Sequence, residues 1–411
     1  MPNKRFWYLT CAAMLFAFLA TRATYASTTQ VIYSFAGDED GEYADTELVM
    51  DGGGNLYGTT VQGGDFASGT VFQLAPSANG WTHTVLYSFT GGTDGGEPYK
   101  GVTLDAQGNI YGTAGVGGKF VGPCSDTGCG VVFKLTKSQG GWAFSVIHSF
   151  TGGNDGYGPG VGVTVDTHGD VFGTTPTGGA NGLGVVFLLK SDGNGHWGER
   201  VIHTFTGGTD GAGGSAGRLV LDSAGNLYGV CTTGGANGAG TVYKLAPAPV
   251  GEWTETTLYA FKGAPDSGFP YGGLIADKNG NLYGTTYYSG ANDLGTVYKL
   301  AFRNGVLTEV GFYSFRGGAD GSGPISTLAA DAAGNLYGTT SEGGAACGCG
   351  TIFKIALAGG ATYSVAYRFQ GAPDGAFVYN GMVADAAGKN FYGATVHGGT
   401  NDEGAIYQFT P

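Results

Sequence analysis

Charged residues are scarce in this sequence, and their scarcity argues against a disordered chain. They make up 12% of the 411 residues, whereas aromatic residues make up 13%. Disordered segments usually combine many charges with few aromatics. Although 83 residues are glycine, we therefore expect ordered repeats rather than low-complexity sequence.

Basic residues are also few, and this excludes two classes of partner. The chain has 19 Lys and Arg against 32 Asp and Glu, a formal charge of -13. The first 26 residues hold Lys4, Arg5 and Arg22 but no acid, so their removal would leave a charge of about -16. An acidic surface repels phosphate backbones and anionic lipid headgroups. We expect neither nucleic acid nor a membrane surface as a partner.

One long hydrophobic run is present, at residues 6–20, and it is too short to cross a bilayer as a helix. It follows Lys4 and Arg5 and precedes small residues, which is typical of a signal peptide; a retained anchor is the alternative. We expect residues 1–26 to be removed, with no membrane insertion after cleavage. The mature chain, 27–411, is expected to be secreted or periplasmic.

The sequence is rich in one repeated pattern. A stretch such as VIYSF recurs seven times, and an Asp follows each final Phe by five residues, usually within GGxDG. A second Asp then opens the pattern D-x-x-G-N-L-Y-G-T-T, complete at 51–60 and 331–340, and an apolar run such as GTVYKL follows. The repeat units span about 31–84, 85–145, 146–200, 201–256, 257–310, 311–364 and 365–411.

Each unit contains four short β-rich runs separated by Gly, Asn and Asp, which predicts four strands. Such a sheet buries both faces only when stacked against its neighbours, so we predict an all-β, seven-bladed β-propeller of four-stranded antiparallel blades in one domain. The chain starts with a lone fourth strand and ends after three strands of its last unit. We expect the N-terminal strand to close the last blade. An open β-solenoid is the alternative.

The D-x-x-G-N-L-Y-G-T-T pattern, its Gly-Gly loop and the apolar run resemble the GloVer-type tandem repeat of exported bacterial proteins. The resemblance covers about residues 30 to 411. More distantly, the chain is similar to NHL-type and lactonase-type propellers. The resemblance implies export and a propeller fold, but it supplies no catalytic residues.

Strand parity predicts which loops share a face. The GGxDG loops and the TTxxGG loops, which follow the NLYGTT strands, should lie on one face, and the D-x-x-G-N turns on the other. The GGxDG aspartates raise the alternative of calcium, whose ligands are carboxylates and carbonyls. We expect them to cap their own turns instead, and we predict no cofactor or metal.

Departures from the repeat give candidate ligand-binding residues, since a position that changes in one unit is not required by the fold. These residues should surround the mouth of the central channel and its loop face, and they suit a carbohydrate or another polar molecule. The predicted residues are Asp45, Glu47, Tyr99, Lys100, Arg218, Tyr271, Tyr287, Tyr288, Glu342, Tyr379, Asn380 and His397. Ordinary variation of a solvated rim is the alternative. His148 and His203, at the Tyr position of YSF, are expected to be packing residues.

The cysteines follow two insertions. Residues 112–130 form a segment seven residues longer than 58–69, and it holds Cys124 and Cys129, for which we predict a disulfide. Cys347 and Cys349 would close a very tight ring, so their pairing stays open. Cys231 is expected to be free and buried.

We recognise no catalytic constellation: neither His-x-x-x-His nor a pair of Cys-x-x-Cys motifs is present. The favoured hypothesis is a non-catalytic, monomeric binding or scaffold module for a glycan, peptide or cell-envelope partner. One alternative is a lactonase-like hydrolase with a divalent metal held by Glu47, Asp45 and Asn380. Another is a structural component of an extracellular matrix.

Overall fold

A computed structural model describes residues 27–214, 217–303, 306–358 and 360–411. The predicted signal peptide lies outside these residues. The described chain forms seven four-stranded antiparallel sheets, each made of strands consecutive in sequence except the last. These are blades 1 to 7 of a β-propeller, numbered by their innermost strands along the chain, and the prediction of fold is confirmed.

The strands of a blade are called inner, second, third and outer, in order from the central axis. The inner strands are Val49–Met50, Val102–Leu104, Thr164–Val165, Val220–Leu221, Ile275–Ala276, Ala329–Ala330 and Val383–Ala384. The second strands are Leu56–Thr60, Ile110–Ala114, Val171–Thr175, Leu227–Cys231, Leu282–Thr286, Leu336–Thr340 and Phe391–Thr395. The third strands are Thr70–Ser77, Val131–Ser138, Val185–Ser191, Thr241–Pro247, Thr296–Arg303, Thr351–Ala356 and Ala405–Thr410. The outer strands are Gly80–Ser88, Gly141–Ser149, Trp197–Thr204, Trp253–Ala260, Val306–Ser314, Thr362–Arg368 and, in blade 7, Thr28–Ser34.

The remaining elements are short and lie in loops or between blades. Four 3-10 turns span Asp38–Asp40, Gly122–Cys124, Pro249–Gly251 and Gly318–Asp320. A two-stranded sheet pairs Gly375–Ala376 with His397–Gly398 on the loop face of blade 7. None of the described helices has the length and apolar character that a membrane span requires.

The N-terminal strand closes the ring. Thr28 pairs with Thr410 and Ser34 with Ala405 along the antiparallel edge of blade 7. Without this strand, the third strand of blade 7 would leave its backbone N–H and C=O groups unpaired at an exposed edge. Closure therefore links residues almost 400 positions apart, as the incomplete first and last units predict.

The hydrophobic core lies between blades. Seven clusters of buried side chains are present in the described part of the chain, and each joins two successive blades. One of them packs Leu56 and Phe72 of blade 1 against Tyr392 and Ile406 of blade 7. Each blade is therefore stabilised mainly by its neighbours, since apolar burial contributes about 25 cal/mol per Å² and a lone blade would leave both faces in water.

The glycine inside the NLYGTT strand is required by packing. In blade 1, a Cβ added to Gly58 would come within 2.7 Å of the Phe72 ring. An aromatic ring of the third strand meets this glycine in every blade. The repeat therefore keeps a glycine where a strand would otherwise prefer a larger residue, because the ring occupies the space of its side chain.

The D-x-x-G-N-L-Y pattern folds one hairpin turn. Asp51 Oδ1 accepts hydrogen bonds from the Gly53 and Asn55 N–H groups at 2.8 and 2.9 Å. Its Oδ2 accepts bonds from Asn55 Nδ2 at 2.8 Å and the Tyr57 hydroxyl at 3.0 Å. Gly54 has φ +82°, as the turn requires. The second set of aspartates is thus structural.

Candidate functional site

The GGxDG and TTxxGG loops lie together on one face in all seven repeats. In each, the second glycine of the TTxxGG loop, or its equivalent, donates a backbone hydrogen bond into the GGxDG loop; for example, Gly64 N–H bonds to Asp38 O at 2.7 Å and Gly235 N–H to Gly208 O at 2.8 Å. The parity argument is confirmed. This loop face is a rigid platform on which side chains can vary without altering the fold.

The GGxDG aspartates cap the turns of the loop face. Asp94 Oδ2 accepts bonds from the Thr90 N–H and the Tyr87 hydroxyl, both at 2.9 Å. The loop N–H bond recurs at Asp40, Asp155, Asp210, Asp320 and Asp374. Asp266 differs: it is half-exposed and contacts Lys262 at 3.7 Å. Turn capping, the predicted role, is seen at six of the seven positions.

His148 and His203 occupy the tyrosine position of this arrangement. Each packs edge-on against the Phe two residues later, as expected of packing residues. Each also faces the aspartate of its loop: His148 Nε2 lies 3.7 Å from Asp155, and His203 Nε2 lies 3.3 Å from Asp210. Burial lowers the pKa of His203, although Asp210 opposes this shift. The two histidines thus replace a phenol as the partner of a capping carboxylate.

A cleft of about 600 Å³ opens on the loop face over blades 5, 6 and 7. One wall is formed by Tyr271, Tyr287 and Tyr288 of blade 5, whose rings contact in sequence at centroid distances of 6.0 and 4.4 Å. The opposite wall is formed by Phe377 and Tyr379 of blade 7, 6.3 Å apart. Tyr271 and Tyr288 are 45% and 52% exposed, so ring surface remains available to a ligand.

Blade 6 supplies the floor between the two walls. Its contribution is Ile325, Ser341 and Glu342. Burial raises the pKa of Tyr287 and Tyr379, and the Glu342 carboxylate raises both further. These phenols therefore stay protonated and can donate hydrogen bonds, while Glu342 supplies acceptors.

A small polar network closes one end of the cleft. Lys100 Nζ lies 3.0 Å from Asn380 Oδ1 and 3.4 Å from Asp45 Oδ1. Asn380 is buried and donates its amide N–H to the same Asp45 oxygen. The three residues come from the loops before blades 1, 2 and 7, so the network forms only in the closed ring.

Glu47 and Arg218 lie deeper, where the inner strands meet at the axis. The Arg218 guanidinium of blade 4 is 3.8 Å from the Glu47 carboxylate of blade 1, and Thr327 of blade 6 donates to Glu47 at 2.6 Å. Side chains from blades 1, 4 and 6 can meet only across the channel. The pair therefore obstructs the channel below the cleft.

The other two predicted residues border the cleft. His397 packs edge-on against Phe377 at 5.6 Å and Tyr43 at 5.1 Å. Tyr99 donates to Glu97 at 3.1 Å, and burial together with Glu97 raises the pKa of its phenol to about 12. Of the twelve predicted residues, the cleft lining includes Asp45, Lys100, Tyr271, Tyr287, Tyr288, Glu342 and Tyr379. That they bind a ligand remains a prediction.

Three lining residues were missed by the sequence analysis: Ile325, Ser341 and Phe377. Phe377 carried a usable signal. It stands three residues after a GGxDG aspartate, a position that is Gly158, Gly213 and Gly323 in three other units. A large aromatic residue at a position that is glycine in three units is a departure from the repeat.

The repeat sequence matches that of a described family. The match to the Gloeobacter/Verrucomicrobia repeat covers residues 118–310 and 249–411. The chain belongs to this repeat family. Membership in the Gloeobacter/Verrucomicrobia repeat family confirms the resemblance drawn from the D-x-x-G-N-L-Y-G-T-T pattern. No curated protein sequence matches the chain.

Solved structures share the propeller fold of this Gloeobacter/Verrucomicrobia repeat protein at low sequence identity. PorZ, a surface component of the type-IX secretion system of Porphyromonas gingivalis, superposes with a TM-score of 0.51 and 13% identity over 92% of this chain and 48% of that one. The chain thus spans about half of PorZ. A Dyadobacter fermentans protein of unknown function has a TM-score of 0.48 and 10% identity, covering 93% and 97% of the two chains. The α-L-arabinanase of Penicillium chrysogenum has a TM-score of 0.45 and 11% identity, covering 75% and 91%. The likeness to PorZ shows the fold alone.

The arrangement does not favour a metal-dependent hydrolase. Asp45 and Asn380 are engaged with the Lys100 ammonium, whereas Glu47 is engaged with Arg218 and Thr327. A cation of the protein already occupies the position next to Asp45 and Asn380 that a metal would need. Within the described ranges, no group of three or more His, Cys, Asp or Glu could hold a metal ion.

Residues 213–217 read Gly-Gly-Ser-Ala-Gly and match the Gly-x-Ser-x-Gly pattern of serine hydrolases. In those enzymes the serine stands at a sharp turn from a strand into a helix. Here the pattern precedes the inner strand Val220–Leu221, and Ser215 lies outside the described residues. We assign it no catalytic role.

The cysteines pair within their own loops. Cys124 is bonded to Cys129 in the enlarged loop of blade 2, as predicted, and Cys347 is bonded to Cys349 in blade 6. Cys231 is free and buried, also as predicted, and burial raises the pKa of its thiol well above the usual value. The Cys124–Cys129 bridge packs on Gly152 of the next GGxDG loop, where a Cβ would meet both sulfur atoms.

Proposed function

We propose that this protein is an exported, non-catalytic binding module that holds a glycan in the cleft over blades 5, 6 and 7. The observation that carries the proposal is the pair of aromatic walls formed by Tyr271, Tyr287 and Tyr288 on one side and Phe377 and Tyr379 on the other. Sugar rings present C–H faces that pack on aromatic faces and a rim of hydroxyls that needs hydrogen bonds.

The polar groups of the cleft match that rim. Glu342 and Asp45 offer carboxylate acceptors, and Lys100 and the protonated phenols of Tyr287 and Tyr379 offer donors. Ligand sites commonly combine apolar lining with a few placed polar groups. A cleft of about 600 Å³ is large enough for at least one sugar ring.

Export is supported by the cysteines and the N-terminal sequence. Two disulfides are typical of an oxidising compartment, and the signal-peptide pattern at residues 1–26 predicts secretion. PorZ, which shares the fold, is a bacterial surface component. We infer a periplasmic or cell-surface location, where a glycan ligand would be part of an envelope or extracellular polysaccharide.

A glycan array with the mature protein tests the proposal. We expect binding to a subset of oligosaccharides, lost in Tyr271→Ala, which removes an exposed ring from a wall. Thr177→Ala, at the exposed loop position of blade 3 equivalent to Tyr288, is the matched control and should bind as the wild type does. Absence of binding to every oligosaccharide, or equal loss in both variants, would overturn the proposal.

A further inference from the structure

One position of the repeat has the same unusual backbone conformation in every unit. Three residues after each GGxDG aspartate, φ lies between +52° and +85°. The N–H group of this residue donates to a carbonyl of the preceding blade, as in Gly158 to Cys129 O and Phe377 to Cys349 O. The residues are Tyr43, Glu97, Gly158, Gly213, Phe269, Gly323 and Phe377. The bond between blades therefore imposes the left-handed conformation.

Glycine adopts this conformation without strain, and three units use it. Phe, Tyr and Glu do not, since their Cβ crowds the backbone at a cost of about 1 to 2 kcal/mol for each residue. Four units nevertheless carry such a residue. Strain of this kind persists where the side chain has a use that outweighs it.

The strained aromatic side chains extend the two walls of the cleft. Phe377 lines the cleft and is 36% exposed. Phe269 is half-buried, packs on the core between blades 4 and 5 and contacts Tyr288 edge-on at 6.5 Å, behind the blade 5 wall. Tyr43 packs against His397, which in turn packs against Phe377, so the second wall continues over blade 1.

Blade 6 has a glycine, Gly323, at the same position. A Cβ on Gly323 would lie 2.7 Å from Ser341 Oγ and 2.8 Å from the Tyr287 ring. Both contacts belong to the cleft lining. Glycine thus keeps the floor low where the two walls face each other.

We propose that Tyr43 and Phe377 are specificity-determining residues, kept at strained positions in an extended aromatic surface for an uncharged oligosaccharide, and that Phe269 positions Tyr288 within that surface. This rests on the proposed function and deepens it. A chain of several sugars is favoured over a single sugar, because the aromatic surface continues from blade 5 past blade 7 to blade 1.

The charges around this surface argue for an uncharged ligand. Glu342 and Asp45 lie in the cleft, and Glu42, Asp402 and Glu403 surround Tyr43 closely enough to raise the pKa of its phenol, Glu403 most strongly. Among the described residues lining the cleft, Lys100 is the one positively charged side chain, and it is already paired with the Asp45 carboxylate. A polyuronate would be repelled by this surface.

Paired substitutions to Gly and Ala separate strain from binding. Both Phe377→Gly and Phe377→Ala remove the ring, but only glycine adopts the positive φ without strain. We therefore expect F377G to have a higher melting temperature than F377A. Tyr271 does not have the left-handed conformation, so glycine has no advantage at that position. Y271G should therefore have a lower melting temperature than Y271A. The same comparison at Phe269 should give the Phe377 order.

Binding is measured by calorimetry with cellohexaose and mannohexaose as neutral probes, hexagalacturonate as the anionic probe, and any neutral oligosaccharide found on the array. We expect the wild type to bind a neutral probe and not hexagalacturonate, and F269G and F377G to bind at least about tenfold more weakly. Full affinity in both variants, a preference for hexagalacturonate, or F377G melting below F377A would overturn the inference while leaving glycan binding intact. Failure of the wild type to bind any oligosaccharide would overturn the proposed function instead.

Discussion

Blades 3 and 5 share one backbone and differ in what their loop faces carry. At four equivalent positions, blade 3 has Gly158, Gly160, Pro176 and Thr177, whereas blade 5 has Phe269, Tyr271, Tyr287 and Tyr288. The strand order is alike in both, and in each the second glycine of the TTxxGG loop, or its equivalent, donates to the GGxDG loop.

The difference teaches which residues the fold needs. Residues common to both blades, such as the glycine inside the second strand, hold the propeller together. Residues present in blade 5 alone cannot be required for folding, since blade 3 folds without them. Stability and binding should therefore respond to different substitutions.

The largest effect is expected from substituting a residue that both blades need. Gly173→Val in blade 3 and Gly284→Val in blade 5 each place a side chain where the ring of Phe187 or Tyr298 lies. Each should lower the free energy of unfolding by about 3 kcal/mol, because overpacked cores are strained. Urea denaturation measures this. Gly198→Val, at a position with nothing within 4 Å, is the control and should change little.

The hairpin aspartates of blades 5 and 3 differ in the hydrogen bonds that they accept, so their substitution should affect stability to different extents. Asp277 in blade 5 accepts four hydrogen bonds, including those from Asn281 Nδ2 at 2.7 Å and the Tyr283 hydroxyl at 3.0 Å. In blade 3, Asp170 and Phe172 replace that Asn and Tyr, so Asp166 Oδ2 contacts the exposed His168 ring at 3.2 Å instead. We expect Asp277→Ala to cost about 2 to 3 kcal/mol and Asp166→Ala about 1 kcal/mol by urea denaturation. Equal costs would contradict this account of the motif.

The capping aspartates should differ in their response to acid. Burial opposes ionisation of Asp155 before blade 3, but the His148 ring 3.7 Å away and hydrogen bonds from the Thr151 N–H and hydroxyl hold its pKa at about 2, below the ordinary 3.8. Its contribution to stability is therefore complete above pH 3.8 and is lost as the pH falls towards 2.

Asp155→Asn should cost about 1 to 2 kcal/mol at pH 7 after allowance for solvent screening, and the difference from the wild type should vanish near pH 2. Asp266→Asn before blade 5 is the matched control, because that half-exposed side chain lies 3.7 Å from Lys262 and accepts no loop N–H bond among the described residues. Urea denaturation at pH 7, 4 and 2 gives the comparison. A cost of D155N that stays constant with pH would refute this assignment.

The smallest effect on stability, with a clear effect on binding, is expected on the loop face of blade 5. Tyr288→Thr installs the residue found in blades 3 and 4, and it should change the free energy of unfolding by less than about 0.5 kcal/mol. The affinity for the oligosaccharide found on the array should fall about tenfold, or 1.4 kcal/mol. Calorimetry and thermal unfolding on one preparation test both parts. A destabilised Y288T would mean that the ring supports the fold.

Much of the candidate site could be predicted because it departs from a repeat. Tyr287 and Tyr288 stand at positions that hold no other aromatic ring except His397, and Tyr271 at a position that varies between units, so the sequence indicates them without any structure. Phe377 gives a weaker signal, because its position holds glycine in three units and Tyr, Glu or Phe in the others. That position requires a positive φ, and only the hydrogen bond between blades shows why.

Local sequence determined the strands, the hairpin turns and the number of blades, because these depend on residues a few positions apart. The incomplete end units also determined how the ring closes. Only the tertiary structure decided that Lys100 meets Asp45 and Asn380, that Glu47 meets Arg218 across the channel, and that walls from blades 5 and 7 face each other over blade 6. These contacts join distant units, and a contact between units depends on the ring geometry rather than on the pattern within any one of them.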